Sequence, residues 1–129
     1  MRTVAALVFE NMAPLDLFGP IQVFNVACTP DVQRPNRPDT TRPLYRVITI
    51  GKQKGPISTG REGAGPVVVA EYNINDDVDF DILLIPGGGG TRALVTIAGS
   101  WVRLQLLVTR QRSLRLFARE PRFYPKLAF

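Results

Sequence analysis

The sequence predicts an α/β domain built on a mainly parallel sheet. Short apolar runs without polar alternation, at residues 4–9 and 82–85, are typical of strands covered on both faces. Strand-like runs alternate with helical spacing and polar turns, which favours right-handed crossovers between parallel strands. The second run ends in Pro86 and four glycines, so unshielded backbone is expected at the end of a strand, where open α/β sheets bind ligands.

The same patterns predict the elements of residues 4–43. Residues 4–9 predict a buried strand, and residues 10–13 a turn. Apolar spacing continues after Pro14, but Gly19 and Pro20 interrupt it, so we expect a short turn and then a helix over residues 20–27. The next segment, residues 29–43, holds four prolines and three arginines and predicts a long surface loop.

The remaining elements lead to the glycine-terminated strand. We expect, in order, a strand at residues 45–50 ended by Gly51, a turn at 52–56, a short edge strand at 57–59, a flexible loop at 60–65, a strand at 67–70 and an acidic connection at 75–79. Residues 82–85 then form the buried strand that precedes the glycines.

Composition narrows the class of protein. The chain has 129 residues, 45% of them hydrophobic and 21% charged, as expected for one globular domain. No apolar run is long enough to cross a bilayer and no secretory signal is legible, so we expect a cytoplasmic protein without membrane contact. A single cysteine excludes an internal disulfide, and the absence of histidine removes the commonest metal ligand; no metal and no cofactor are expected.

Charge divides the chain at about residue 100. Residues 1–100 carry nine basic and ten acidic residues, whereas residues 101–129 carry seven basic and one acidic. We therefore predict an α/β domain over 1–100 and a divergent basic tail over 101–129, helical at 100–109 and irregular afterwards. Residues 110–126 mix arginines with aromatics, as nucleic-acid-binding segments do, but a charged tail usually needs no partner, and nucleic acid is not expected.

The glycine turn has several interpretations. Glycine N–H groups carry no side-chain shielding and can face an anion or a developing oxyanion; a tight turn without a ligand is the other interpretation. Gly88, Gly90 and Ala93 satisfy G-x-G-x-x-A, but the strand comes late and no acidic residue follows about twenty positions on. A P-loop is excluded, since no Gly-Lys-Ser/Thr closes the turn.

About the first hundred residues resemble the ThiJ/PfpI family of the class I glutamine amidotransferase-like superfamily, in particular its isonitrile hydratase-like members. The resemblance rests on the strand at 4–9, Leu-Asp-Leu-Phe-Gly-Pro at 15–20, the hairpin-like segment at 54–59, and the strand that ends Ile-Pro-Gly-Gly at 85–88. It implies a flavodoxin-like three-layer sandwich, usually dimeric, here incomplete at the C-terminal side.

The resemblance also implies a chemistry. In the family a cysteine on a strained strand-to-helix turn attacks a small-molecule substrate, an acidic side chain of the first helix moves protons, and glycine amides hold the oxyanion. Asp16 matches the acidic position, and Gly87 and Gly88 match the oxyanion-hole glycines. Taken without the resemblance, Asp16 is an acidic residue in a helix's first turn, which the helix dipole favours.

The expected nucleophile is missing. Residues 106–117 contain no cysteine, and Ser113 is followed by no glycine and stands beside Arg112. Cys28 follows the first helix, and we interpret it as a buried or semi-exposed structural residue.

Without the family's nucleophile strand, the strand at 82–85 is expected to become an exposed apolar edge. We therefore predict a truncated or altered domain related to isonitrile hydratases, which convert an isonitrile to an N-substituted formamide, with weak or no activity of its own. The alternative is a non-catalytic ligand-sensing or dimerisation domain, like those of AraC-type transcriptional regulators. Whether the chain is an enzyme stays open.

Overall fold

A computed structural model of the protein describes residues 1–29 and 42–91, and residues 115–118 as a strand. These ranges contain one α-helix, nine strands and a 3-10 turn at Arg61–Gly63. Their bounds are β1 Arg2–Val8, α1 Pro14–Val26, β2 Cys28–Thr29, β3 Arg42–Pro43, β4 Tyr45–Gly51, β5 Gly55–Ser58, β6 Val67–Ala70, β7 Tyr72–Asn73, β8 Ile82–Ile85 and β9 Arg115–Ala118. Within these ranges, no helix is long and apolar enough to cross a membrane.

Five strands form one sheet in the order β7-β4-β1-β8-β9, and every neighbouring pair is parallel. β1 pairs along its whole length with β4 and, over Val4 to Ala6, with β8. From β1 the chain proceeds outward through β4 and β7, and then returns to the other side of β1 to add β8 and β9. The predicted α/β fold with a mainly parallel, flavodoxin-like sheet is confirmed.

The core surrounds the middle of this sheet. All five residues of β1 from Val4 to Val8 are at most 3% exposed, and all four residues of β8 are buried. Burial on both faces explains why neither strand alternates between apolar and polar residues. Leu17 of α1 is fully buried, and Ile21 and Phe24 pack against the same cluster, so α1 covers one face of the sheet.

The helix α1 is continuous from Pro14 to Val26, and the predicted break at Pro20 is wrong. Pro20 has no N–H to donate to the carbonyl of Asp16, a loss that normally interrupts a helix. The face that packs on the sheet, however, carries Leu17 before the proline and Phe24 after it. Because one apolar face spans both sides of Pro20, tertiary packing offsets the local cost.

Other local predictions need smaller corrections. The ends of the segment predicted as a loop, residues 29–43, lie in β2 and β3, which pair antiparallel. The predicted loop at 60–65 contains the 3-10 turn, and its ends are joined: the Gly65 N–H donates to the Thr59 carbonyl over 2.7 Å and the Thr59 hydroxyl donates to the Pro66 carbonyl. β5 and β6 form an antiparallel hairpin around it, and β7 was not predicted.

The prediction that residues 82–85 form an exposed edge is also wrong. β8 lies between β1 and β9, and β9 pairs with it in parallel from Ile82 opposite Arg115 to Ile85 opposite Ala118. Four residues of the predicted basic tail thus belong to the main sheet. The predicted helix at 100–109, Ser113 and residues 119–126 lie outside the described residues, and the domain boundary near residue 100 stays a prediction.

Two acidic side chains secure the outer part of the sheet near β7. The Glu71 carboxylate accepts hydrogen bonds from the Thr49 N–H at 2.9 Å and from its hydroxyl at 3.4 Å, beside the point where β7 begins to pair with β4. Asp76 accepts from the Asn73 N–H at 2.9 Å and forms an ion pair with Lys54 at 3.1 Å. These two contacts, the hydrogen bond from the Asn73 N–H above all, lower the pKa of the Asp76 carboxyl below its ordinary value.

Candidate functional site

The candidate site lies where the strand order reverses, at the C-terminal ends of β1 and β8. The connections that follow two neighbouring strands run in opposite directions at this point, and a crevice forms between them. Open α/β sheets bind ligands in such a crevice. Here one wall is the loop from β1 to α1, residues 9–13, and the other is the glycine turn after β8. The Ala13 N–H donates to the Gly87 carbonyl over 2.8 Å and the Gly90 N–H to the Asn11 carbonyl over 3.3 Å, so the two loops are joined.

The close contact between these two loops requires glycine at two positions. Gly88 has φ +129°, and a Cβ on it would collide with the backbone of Asn11, Met12 and Ala13. A Cβ on Gly90 would collide with the Glu10 carbonyl oxygen. The glycine run therefore has a structural reason at these two positions, because only a residue without a side chain lets the loops meet.

The third residue of α1, Asp16, faces the glycine turn. Its Oδ2 atom lies 2.7 Å from the position that a Cβ on Gly87 would occupy, and the Asp16 N–H donates to the Ala13 carbonyl over 3.1 Å. Gly87 is buried and Asp16 is half-buried, so the carboxylate lies against bare backbone. The structure thus brings Asp16, Gly87 and Gly88 together; their chemical roles stay predictions.

Hydrogen bonds hold the turn itself. The Thr91 hydroxyl donates to the Gly88 carbonyl over 2.7 Å, and the Thr91 N–H donates to the same oxygen over 3.2 Å. Thr91 is buried, so this contact is shielded from water. Thr91 is not among the predicted site residues, although a hydroxyl residue directly after a glycine run is a recognisable turn-closing signal.

The hairpin β5/β6 supports the loop from β1 to α1 through contacts that the sequence does not predict. The Gly60 N–H donates to the Met12 carbonyl over 2.8 Å, and the Asn11 N–H donates to the Ser58 carbonyl over 3.3 Å. Asn11 has φ +61°, a conformation that asparagine tolerates better than most residues.

The single thiol lies at the other end of the sheet. α1 starts beside the glycine turn and contains 13 residues, about 20 Å of helix, before the chain reaches Cys28. Cys28 is exposed, so the expectation of a buried or semi-exposed residue is wrong. It follows the helix end and sits in the short two-residue strand β2, where no core packs over it. No thiol therefore joins Asp16 within the described residues.

β9 occupies the sheet position next to the glycine-terminated strand. It reads Arg-Leu-Phe-Ala and brings no cysteine, and its last residue, Ala118, lies opposite Ile85. The resemblance implies a nucleophile on the next strand after the glycine turn, and the four residues of β9 include no cysteine.

Among the described residues, the candidate site contains one carboxyl group that can carry a proton, that of Asp16, and the bare backbone of the glycine turn. Asp16 can accept or donate a proton, and glycine N–H groups can stabilise negative charge on a bound oxygen. In residues 1–29 and 42–91, no three histidine, cysteine or acidic side chains come close enough to hold a metal ion.

Comparison with known proteins shows which solved structures share this fold. No family model matches the chain, and no curated protein matches it. A solved ThiJ/PfpI family protein from Pseudomonas syringae superposes with a TM-score of 0.67 at 20% identity, over 89% of this chain and 41% of that one. A two-domain protein from Anabaena variabilis, with DJ-1/ThiJ/PfpI-like and ferritin-like domains, superposes with a TM-score of 0.62 at 14% identity, over 90% of this chain and 29% of that one.

Oxidised DJ-1 from Toxoplasma gondii superposes with a TM-score of 0.58 at 13% identity, over 90% of this chain and 55% of that one. The chain therefore spans between 29 and 55% of the length of these three proteins. The solved structures that it resembles belong to the ThiJ/PfpI and DJ-1 superfamily, and the chain shares their α/β, flavodoxin-like fold.

Proposed function

We propose that the chain is a small-molecule-binding domain of the ThiJ/PfpI type, related to isonitrile hydratases, with at most slow hydration activity. The observation that supports this proposal is the Asp16 carboxylate against the bare backbone of Gly87, at the point where the strand order reverses. Ligand pockets in open α/β sheets form at such points, and a half-buried carboxylate there can orient a polar ligand.

Hydration adds water across the isonitrile carbon, so that R–NC and H2O give R–NH–CHO. The carbon gains one proton and an oxygen substituent, and the nitrogen gains the other proton. A carboxyl at the crevice can donate the proton to carbon and, as carboxylate, take a proton from the attacking water. With no thiol in the described part of the crevice, water is the attacking group, and we expect turnover to be slow.

The test compares benzyl isonitrile hydration by the wild-type chain and Asp16→Asn. We expect slow formation of N-benzylformamide, followed by proton NMR, that Asp16→Asn abolishes. Asp79→Asn is the control, because it removes a charge from an exposed carboxylate in the connection before β8. Turnover that survives Asp16→Asn unchanged would contradict the proposed role of Asp16.

Binding is measured separately from turnover. Saturation-transfer NMR with N-benzylformamide reports whether the crevice holds a ligand even when no hydration occurs. We expect a signal in the wild type and in Asp79→Asn, and a weaker one in Asp16→Asn. No saturation transfer in the wild type would refute the binding proposal itself.

The second candidate, a dimerisation or ligand-sensing domain, is favoured by the outer face of α1. Leu15, Val23 and Val26 are 77, 65 and 63% exposed, and Phe18 lies on the same side. A surface helix normally presents polar residues to solvent, and Asp16 is the single charged residue of α1. We propose that this apolar face pairs with a second copy of the chain, since an uncharged face can meet itself without repulsion.

The two candidates are distinguishable by sedimentation and binding together. A homodimer without binding of isonitrile or formamide supports the dimerisation domain. A ligand-binding monomer supports the first candidate alone.

A further inference from the structure

A cavity lies at the opposite end of the sheet from Asp16. It has a volume of about 690 Å³, within the range of small-ligand pockets. Its walls come from the first residues of β1 and β4 and from the β2/β3 ladder, and its described lining includes Arg2, Arg42, Thr29, Tyr45, Pro43 and Leu44. The length of α1, about 20 Å, separates it from the glycine turn.

Backbone pairing fixes these walls. The Arg2 N–H donates to the Leu44 carbonyl over 2.9 Å, and the Leu44 N–H donates to the Ala27 carbonyl over 3.1 Å. Thr29 and Arg42 are directly opposite in the β2/β3 ladder, which places their side chains next to each other. The Tyr45 ring packs edge-on against Phe24 at 5.0 Å, so the phenol end has a defined position. The cavity is therefore built by the ends of four strands.

The described lining of the cavity carries positive and no negative side-chain charge. The described lining includes two arginines, Arg2 and Arg42, and two hydroxyl-bearing residues, Thr29 and Tyr45, and none of the described lining residues is acidic. Asp81, at the same end of the sheet, accepts from the Thr3 N–H over 2.7 Å and does not line the cavity. Guanidinium groups bind carboxylates through paired hydrogen bonds, and Pro43 and Leu44 give an apolar surface beside them.

We propose that this cavity binds a small organic carboxylate that carries an apolar or aromatic body. Arg2 and Arg42 hold the carboxylate, and Pro43, Leu44 and the Tyr45 ring contact the body. This site is separate from the Asp16 crevice, and its test does not depend on the function proposed for that crevice.

The test uses 4-fluorobenzoate as the probe and fluorine NMR of the full chain. We expect saturable binding that weakens about tenfold or more in Arg42→Gln and further in the Arg2→Gln, Arg42→Gln double variant. Arg46→Gln is the matched control, because Arg46 is an exposed arginine of β4 outside the cavity lining. Thermal unfolding of each variant verifies that the fold is retained.

Three results would overturn the proposal: no saturable binding to the wild type, an equal loss in Arg46→Gln, or equal binding of the neutral 4-fluorobenzamide. Amide shift mapping on the wild-type chain gives a second measurement that needs no variant. Shifts at Thr29, Leu44 and Tyr45 support the cavity, whereas shifts at the glycine turn assign the probe to the other site.

Discussion

The substitution Gly87→Ala tests the candidate site with the least change to the fold. The new Cβ lies 2.7 Å from Asp16 Oδ2, and within the described part of the chain no backbone atom lies within 4 Å of it apart from those of the adjacent residues. Gly87 does not have the positive φ that marks Gly88, so alanine is compatible with its backbone conformation. Among the described residues, the adjustment that this Cβ forces is a retreat of the Asp16 carboxylate.

The size of that retreat follows from the distances. Ordinary contact with a Cβ begins at 3.4 Å, so Oδ2 must withdraw by about 0.7 Å from its present 2.7 Å. A misplacement of about 1 Å in a reacting group lowers turnover by about 100-fold, so a 10- to 100-fold loss of any Asp16-dependent activity is expected. Stability should stay the same or rise by about 0.4–1 kcal/mol, because alanine restricts the unfolded chain.

The assay measures N-benzylformamide formation and binding alongside thermal unfolding of the same samples. Gly89→Ala is the matched control in the same turn, because a Cβ there meets none of the described residues within 4 Å beyond its chain neighbours. Gly88→Ala is the contrasting variant: its positive φ and its backbone collisions predict a clear loss of stability. Equal binding and turnover in Gly87→Ala and Gly89→Ala would refute the reasoning, as would unfolding of Gly87→Ala to the extent seen in Gly88→Ala.

The remaining predictions concern the sheet edge, acid stability and self-association. Glu71→Ala should lower the free energy of unfolding by about 1 kcal/mol, measured by urea titration, because the Thr49 N–H loses its acceptor; Glu71→Gln keeps an oxygen there and should lose less. Asp76 has a lowered pKa when folded, so its contribution to stability is complete above the unfolded pKa and is lost as pH falls through the folded one. Asp76→Asn should therefore flatten the acid limb of the stability profile, and Asp79→Asn serves as the charge-matched comparison. Gly19→Gln puts a polar side chain on the outer face of α1 and should weaken self-association in sedimentation. Because a Cβ directly before Pro20 disfavours the helical conformation, thermal unfolding of the variant verifies that the fold is retained; an unchanged dimer would exclude this face as the interface.

The sequence alone determined the parts of the fold that depend on local burial. A strand covered on both faces has no reason to alternate, and the apolar runs at 4–9 and 82–85 are β1 and β8 for that reason. The glycines after β8 and the acidic residue at the start of α1 predicted which end of the sheet carries the candidate site. Parallel strands end at the same edge, so these two features could be expected to meet.

The tertiary structure alone decided what depends on residues distant in the chain. α1 continues through Pro20 because its packed face, not its local propensity, determines where the helix ends. β8 gains a neighbour from residues 115–118, and the hairpin supports the loop after β1 through bonds between segments about fifty residues apart. Such pairings depend on three-dimensional proximity, which leaves no periodic signal in either partner.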